Sequence, residues 1–207
     1  MSNARKKKEP EGQRGRPRQF DTDAALMAAM RVFWEHGYAG ASVSTLLKAM
    51  GINRGSMYAA FGSKEELFRQ VLDHYEKEKT AYMQSALDKA TARGVAEHLL
   101  KNTIAFQANI DNPKGSMSIV YSMSSAPGDE SVRSYVIERG VFWRQKLIER
   151  IERAKSEGDF RPEYNACYLA LSLKATNDGL LVAASSGATL EELQGIVDIY
   201  LSLWPGR

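Results

Sequence analysis

Thiols, histidines and long apolar runs are nearly missing from this chain of 207 residues. One cysteine, Cys167, excludes an intrachain disulfide. The three histidines, His36, His74 and His98, stand far apart with no metal-ligand pattern around them, so neither a metal nor a cofactor is expected. The chain also lacks a phosphate-cradling glycine loop, a nucleophile elbow and any Cys/His pair at suggestive spacing. Glu149, Glu152 and Arg153 share a helical face that reads as solvated and salt-bridged. Catalysis is therefore not expected. No apolar run reaches the roughly 18 residues of a membrane span, and no signal peptide opens the chain, so the expectation is a soluble, cytoplasmic protein with no membrane partner. Strand alternation and internal repeats are absent too, which leaves an all-α fold.

What is there begins with charge. In residues 1–19, Arg5, Lys6, Lys7, Lys8, Arg14, Arg16 and Arg18 stand against Glu9 and Glu11 alone, while the whole chain carries only +3. The positive charge is thus an arm rather than a property of the fold, and with almost nothing apolar before Phe20 it is expected to be disordered when free. Lys6 to Lys8 fit a solubilising tail as well as a phosphate contact. Arg14-Gly15-Arg16-Pro17 is an AT-hook-like core, and with Arg18 it lies where it can reach a narrow A/T-rich minor groove.

The densest information runs from Ser42 to Leu67, SVSTLLKAMGINRGSMYAAFGSKEEL. Ser42 and Ser44 are good N-caps, and Leu46, Leu47 and Met50 give the next turns an apolar side. Gly51 permits a positive φ at the corner, Ile52 plugs the turn, and Asn53 can cap a second short helix over Arg54 to Ala60. That helix is too short to stand alone, so Met57 and Phe61 must pack inward and leave Arg54, Gly55, Ser56 and Tyr58 facing out. Arg54 suits guanine or phosphate, Gly55 allows close approach, Ser56 is small and polar, and the Tyr58 hydroxyl can donate to a phosphate. Ser63-Lys64-Glu65-Glu66 is a capping box that starts a long helix, with Lys64 set against the helix dipole as if an anion lay nearby. Before it, Asp21 can cap a helix carrying Leu26, Ala29, Met30 and Phe33 at helical spacing and ending at His36-Gly37-Tyr38; its Phe33 and Trp34 read as core. The pattern is a helix-turn-helix made to enter a major groove.

This stretch resembles the DNA-binding domain of the TetR family, G-x-S-x-x-x-L followed by G-(V/I)-S-x-G-x-(L/M)-Y-x-H-F-x-x-K-E-x-L. Gly40, Ser42, Leu46, Gly51, Ile52, Gly55, Met57, Tyr58, Phe61, Lys64, Glu65 and Leu67 all fall in place, over a match from Phe20 to Leu67. Asn53 stands where Ser is common, and Ala60 where His is common, which removes one phosphate contact. The resemblance implies three parts: a basic arm at 1–19, a three-helix DNA-binding domain at 20–66, and a larger helical ligand-binding and dimerisation domain at 67–207. It also implies a homodimer on a palindromic double-stranded operator, repressing until a small-molecule effector releases it. The alternative is an architectural DNA-binding protein with no ligand response, which the large second part disfavours.

Beyond the motif, breaks at 91–94, 111–113, 126–128, 158–162 and 185–187 leave helices near 64–90, 95–110, 114–125, 130–157, 163–184 and 189–203. The last carries Leu190, Leu193, Ile196, Val197, Tyr200, Leu201 and Trp204 on a wide stripe, and 163–184 mixes leucines with small residues. These stripes fit a monomer's own core, while the family resemblance implies pairing with a symmetry mate as a four-helix bundle. Asn112-Pro113-Lys114-Gly115-Ser116-Met117 is similar to the NemR-like branch, with Ser116 where that branch often has Cys, so thiol sensing there is not expected. Cys167 reads as a buried, inert thiol. Candidate pocket walls are Phe106, Met117, Tyr121, Met123, Phe142, Trp143 and Asn177, apolar with a few polar anchors, and each also reads as ordinary core. The lack of concentrated charge there favours a neutral or aromatic effector.

Overall fold

The computed structural model describes residues 20–124 and 128–205, without the side chains of residues 122–124. The arm, including Arg14, Arg16 and Arg18, lies outside the described residues, as does the side chain of Met123. Among the described residues there are ten α-helices and no strand element. None of these helices is long and apolar enough to cross a membrane, and among the described residues no group of three or more His, Cys, Asp or Glu could hold a metal ion.

The first four helices follow the capping signals closely. In α1 (Thr22–Gly40) the Asp21 carboxylate accepts from the Asp23 and Ala24 amides at 3.0 and 3.1 Å, and Gly37 interrupts the helix with φ +67°. Ser42 caps α2 (Val43–Met50), which ends at Gly51 in the left-handed region, φ +66°. Asn53 caps α3 (Arg54–Phe61) through its side-chain oxygen on the Ser56 amide at 2.8 Å. Ser63 and Glu66 close a full capping box on α4 (Lys64–Lys79). Each such cap is worth about 1 kcal/mol. Gly62 (φ +75°) is tied to that box, since a Cβ there would collide with the Glu66 carboxylate reaching back to the Ser63 amide.

The expected single helix over 64–90 is two. Thr80 breaks it with φ −117°, ψ 16°, turning its hydroxyl back onto the Glu76 carbonyl at 2.9 Å, and α5 (Ala81–Leu87) restarts beyond it. Then come α6 (Ala92–Ala108), α7 (Met117–Ser124), α8 (Glu130–Ser156), α9 (Ala166–Ser185) and α10 (Leu190–Ser202). The loop between α6 and α7 is held by Gln107, 2 % exposed, whose carboxamide accepts from the Gly115 amide at 2.8 Å and donates to the Gly115 carbonyl at 3.1 Å.

Two cores result. The first joins α1 through α4 to Met117 and Tyr121 of α7 and to Val132 and Val136 of α8. It is aromatic: Trp34 meets Tyr75 edge-on at 4.9 Å and stacks on Phe106 at 5.6 Å, while Phe68 packs between Phe33, Tyr38 and Tyr121. The packing therefore continues from the helix-turn-helix into α7 and α8 without a break. The second core gathers α5, α6, the far half of α8, α9 and α10 around Leu99, Leu147, Leu173 and Val197.

Candidate nucleic-acid interface and ligand cavity

α3 buries Met57 and Phe61 against the first core and turns its other side to solvent. On that side Arg54, Gly55 and Tyr58 are exposed, Tyr58 to 46 %, and Ser56 is half-buried. The Asn53 side-chain oxygen is engaged as the cap, which leaves its amino group free to donate outward. Ser42, at the start of α2, holds the Thr45 amide at 3.1 Å and lies 2.8 Å from both the Ser44 and Thr45 hydroxyls. Thr45, which the sequence reading did not name, thus joins a set of exposed hydroxyls at a helix N-terminus, a setting suited to phosphate oxygens. Its signal was there as the Ser42-x-Ser44-Thr45 run.

Lys64 is placed differently from the others. Its ammonium lies 4.2 Å from the centre of the Tyr38 ring, half-buried, and desolvation lowers its pKa. The ring face answers the cation that the helix dipole disfavours. Lys64 therefore cements α1 to α4, and only its margin is left to face a ligand.

Some way from this face, a partly open cavity of about 1130 Å³ lies between α4, α5, α7, α8 and α9. Tyr75, Tyr82, Met83, Ile119, Val136, Trp143 and Leu181 supply most of its apolar wall. Of the sequence candidates, Trp143 and Asn177 line it, and Phe142 lines its rim at 63 % exposure. Phe106, Met117 and Tyr121 do not line it; they belong to the first core, where their rings and thioether are covered by Trp34, Phe68 and neighbours. Tyr75, Tyr82, Lys174 and Asp178 are wall residues that sequence reasoning missed, because only the fold brings α4, α5 and α9 together. Cys167 is half-buried and stands apart from the cavity lining.

The cavity's charges are balanced. Glu76, Asp88, Glu138 and Asp178 are matched one for one by Lys77, Arg139, Arg144 and Lys174. Lys174 pairs with Asp178 one turn along α9, and Arg139 bridges α8 to α4 through Glu76 at 2.8 Å and Asp73 at 2.6 Å. Burial, then the hydrogen bond to Asp73 at 2.6 Å, pushes the Tyr135 phenol beside that bridge up to about 12. Burial also raises Tyr75, whose hydroxyl donates to Ser116 at 3.4 Å on the cavity floor.

Residues 25–71 match the family described as bacterial regulatory proteins, tetR family. Over 195 residues the chain is 32 % identical to the HTH-type transcriptional repressor ComR of Escherichia coli K12, covering 93 % of this chain and 92 % of that one. Among solved structures it is similar to a cysteine-substituted CifR, a TetR family regulator bound to a 26-bp operator duplex. That likeness has 36 % identity and a TM-score of 0.86, and covers 92 % of this chain and all of that one. Reduced E. coli NemR shares the fold, at 20 % identity and a TM-score of 0.69 over 86 % of this chain and 93 % of that one.

Proposed function

The chain belongs to the TetR family of bacterial regulatory proteins and is a DNA-binding transcription regulator, not an enzyme; we propose that it is a homodimeric repressor that a small molecule releases from a palindromic operator. The observation that carries this is the two-sided α3, apolar inward and polar outward with Arg54, Ser56 and Tyr58. On this reading Arg54 reads base edges or phosphate, Gly55 allows close approach, and Ser42, Asn53, Ser56, Tyr58 and Lys64 position the backbone, with Arg14, Arg16 and Arg18 in the adjacent minor groove. ComR is named a repressor and the CifR complex holds operator DNA, which supports the same assignment.

The division of labour is a basic arm at 1–19, a DNA-binding part at 20–66 and a ligand-binding and dimerisation part at 67–207. α9 and α10 pair with their symmetry mates. The effector occupies the cavity, with Phe142, Trp143 and Asn177 in contact and Phe106, Met117 and Tyr121 behind its wall. Tyr75 lines the cavity and touches Trp34 of α1, so α4 can carry a change of occupancy to the DNA-binding helices. Moving the population from 1:99 to 99:1 requires the effector to prefer the released state by about 5.5 kcal/mol. The 112–117 loop is the part that resembles the NemR-like branch, and with Ser116 in the thiol's place the response is by binding rather than oxidation.

Selection of genomic fragments by the purified protein at ~150 mM salt, followed by sequencing, tests the reading. A palindrome is expected, and it is lost with Arg54→Ala. Diffuse A/T-rich enrichment that survives that substitution would replace the repressor with an architectural protein acting through its arm.

A further inference from the structure

Asn177 is 2 % exposed, yet it lines the cavity. Its side-chain oxygen accepts from the Thr103 hydroxyl at 2.6 Å. Thr103 is itself fully buried behind the wall, with the Tyr82 hydroxyl 3.2 Å away on its other side. The consequence falls on the carboxamide nitrogen. It donates to no group among the described residues, and it stands on the cavity side of a wall built from Tyr75, Met83, Val136, Trp143 and Leu181. The nitrogen keeps access to the cavity space, and as a donor it has no capacity to accept in return.

Charge narrows the ligand further. Lys174 and Asp178, flanking Asn177 on α9, are paired with each other, and Arg139 across the cavity is held by Glu76 and Asp73. The other charged lining residues, Lys77, Asp88, Glu138 and Arg144, are exposed, so an ionic ligand held at Asn177 would either break one of these pairs or lose its hydration without a partner.

We propose that the cavity takes a neutral, largely apolar molecule whose strong polar group is a hydrogen-bond acceptor, such as a ketone, ester or ether oxygen, held by the Asn177 carboxamide nitrogen. The proposal rests on reading the cavity as the effector site. Thr103 is the positioning residue that keeps the nitrogen turned inward.

Calorimetric titration of the full chain with four probes of one skeleton tests it: benzophenone, diphenylmethane, diphenylacetate and benzhydrylamine. Benzophenone is expected to bind about tenfold more tightly than diphenylmethane, with both ionic probes weaker than either. Asn177→Leu abolishes the ketone's advantage and leaves diphenylmethane nearly unchanged. Asn177→Asp keeps the size and the Thr103 hydrogen bond, and makes benzhydrylamine the tightest of the four. Equal binding of ketone and hydrocarbon by the wild type, a ketone advantage that survives both substitutions, or tightest wild-type binding by an ionic probe overturns the proposal while the cavity still stands as a binding site. Binding of no probe removes the cavity reading itself, and the proposal with it.

Discussion

The outer side of α3 and the outer sides of α9 and α10 are both exposed, and they differ in kind. The outer side of α3 presents Arg54, Ser56 and Tyr58, polar groups on a helix of only 8 residues. The outer sides of α9 and α10 present Tyr168, Ile196, Ile199 and Leu203, at 72, 44, 66 and 77 % exposure, with the small residues Ala175, Gly179 and Gly195 exposed between them. Those same two helices already bury Leu173, Leu180, Leu193, Val197 and Leu201 on their inner sides. A helix that is apolar on both sides has a second surface to bury, and in the proposed dimer a second copy of the chain would satisfy it with the same patch on each partner. A short polar helix braced from behind has no such need and suits a highly charged, hydrated partner. The contrast separates a protein-facing surface from a nucleic-acid-facing one.

Substitutions can break this contrast in order of effect. Ile199→Glu is expected to dissociate the dimer in sedimentation experiments and to lower operator affinity by more than about a hundredfold at nanomolar protein, because each half-site must then be held alone. Arg54→Ala leaves the sedimentation unchanged and costs about 1–3 kcal/mol of operator binding, measured by anisotropy on the selected sequence and on mismatched ones. Tyr58→Phe weakens binding by about 1 kcal/mol, equally for all sequences; loss confined to particular base pairs would reassign its hydroxyl to base readout. The smallest effect touches neither face. The folded-state pKa of Tyr135 is raised from 10.0 to about 12, so the folded state holds that proton more tightly. Its contribution is complete below pH 10 and is lost as pH rises towards 12. Thermal midpoints should fall across that window, and Tyr135→Phe should flatten the fall.

The helix-turn-helix was legible because its signals are local. Asp21, Ser42, Asn53 and Ser63 each cap a helix within three residues of themselves, and Gly51 turns where only a short-range rule is needed. The Tyr38 contact of Lys64 was not legible for the opposite reason: Tyr38 comes from another helix, and a dipole argument alone does not reveal it. The same limit applies to the cavity. Phe106 and Trp143 have equal claims in the sequence, being aromatic residues on long helices. Only the approach of α6 to α1 puts Phe106 under Trp34, and only the meeting of α8 with α5 and α9 puts Trp143 in the wall. Thr80 broke an apparently continuous helix with no glycine or proline to announce it.

The central claim is that two copies of α3, joined through α9 and α10, enter successive major grooves together. The most direct measurement places a spin label at Ala60, exposed on α3, and reads the label-to-label distance on the selected operator. A single narrow peak near the helical repeat, about 34–36 Å, is the predicted result. A complex that shows no label pair at that separation while still protecting the operator would contradict the account.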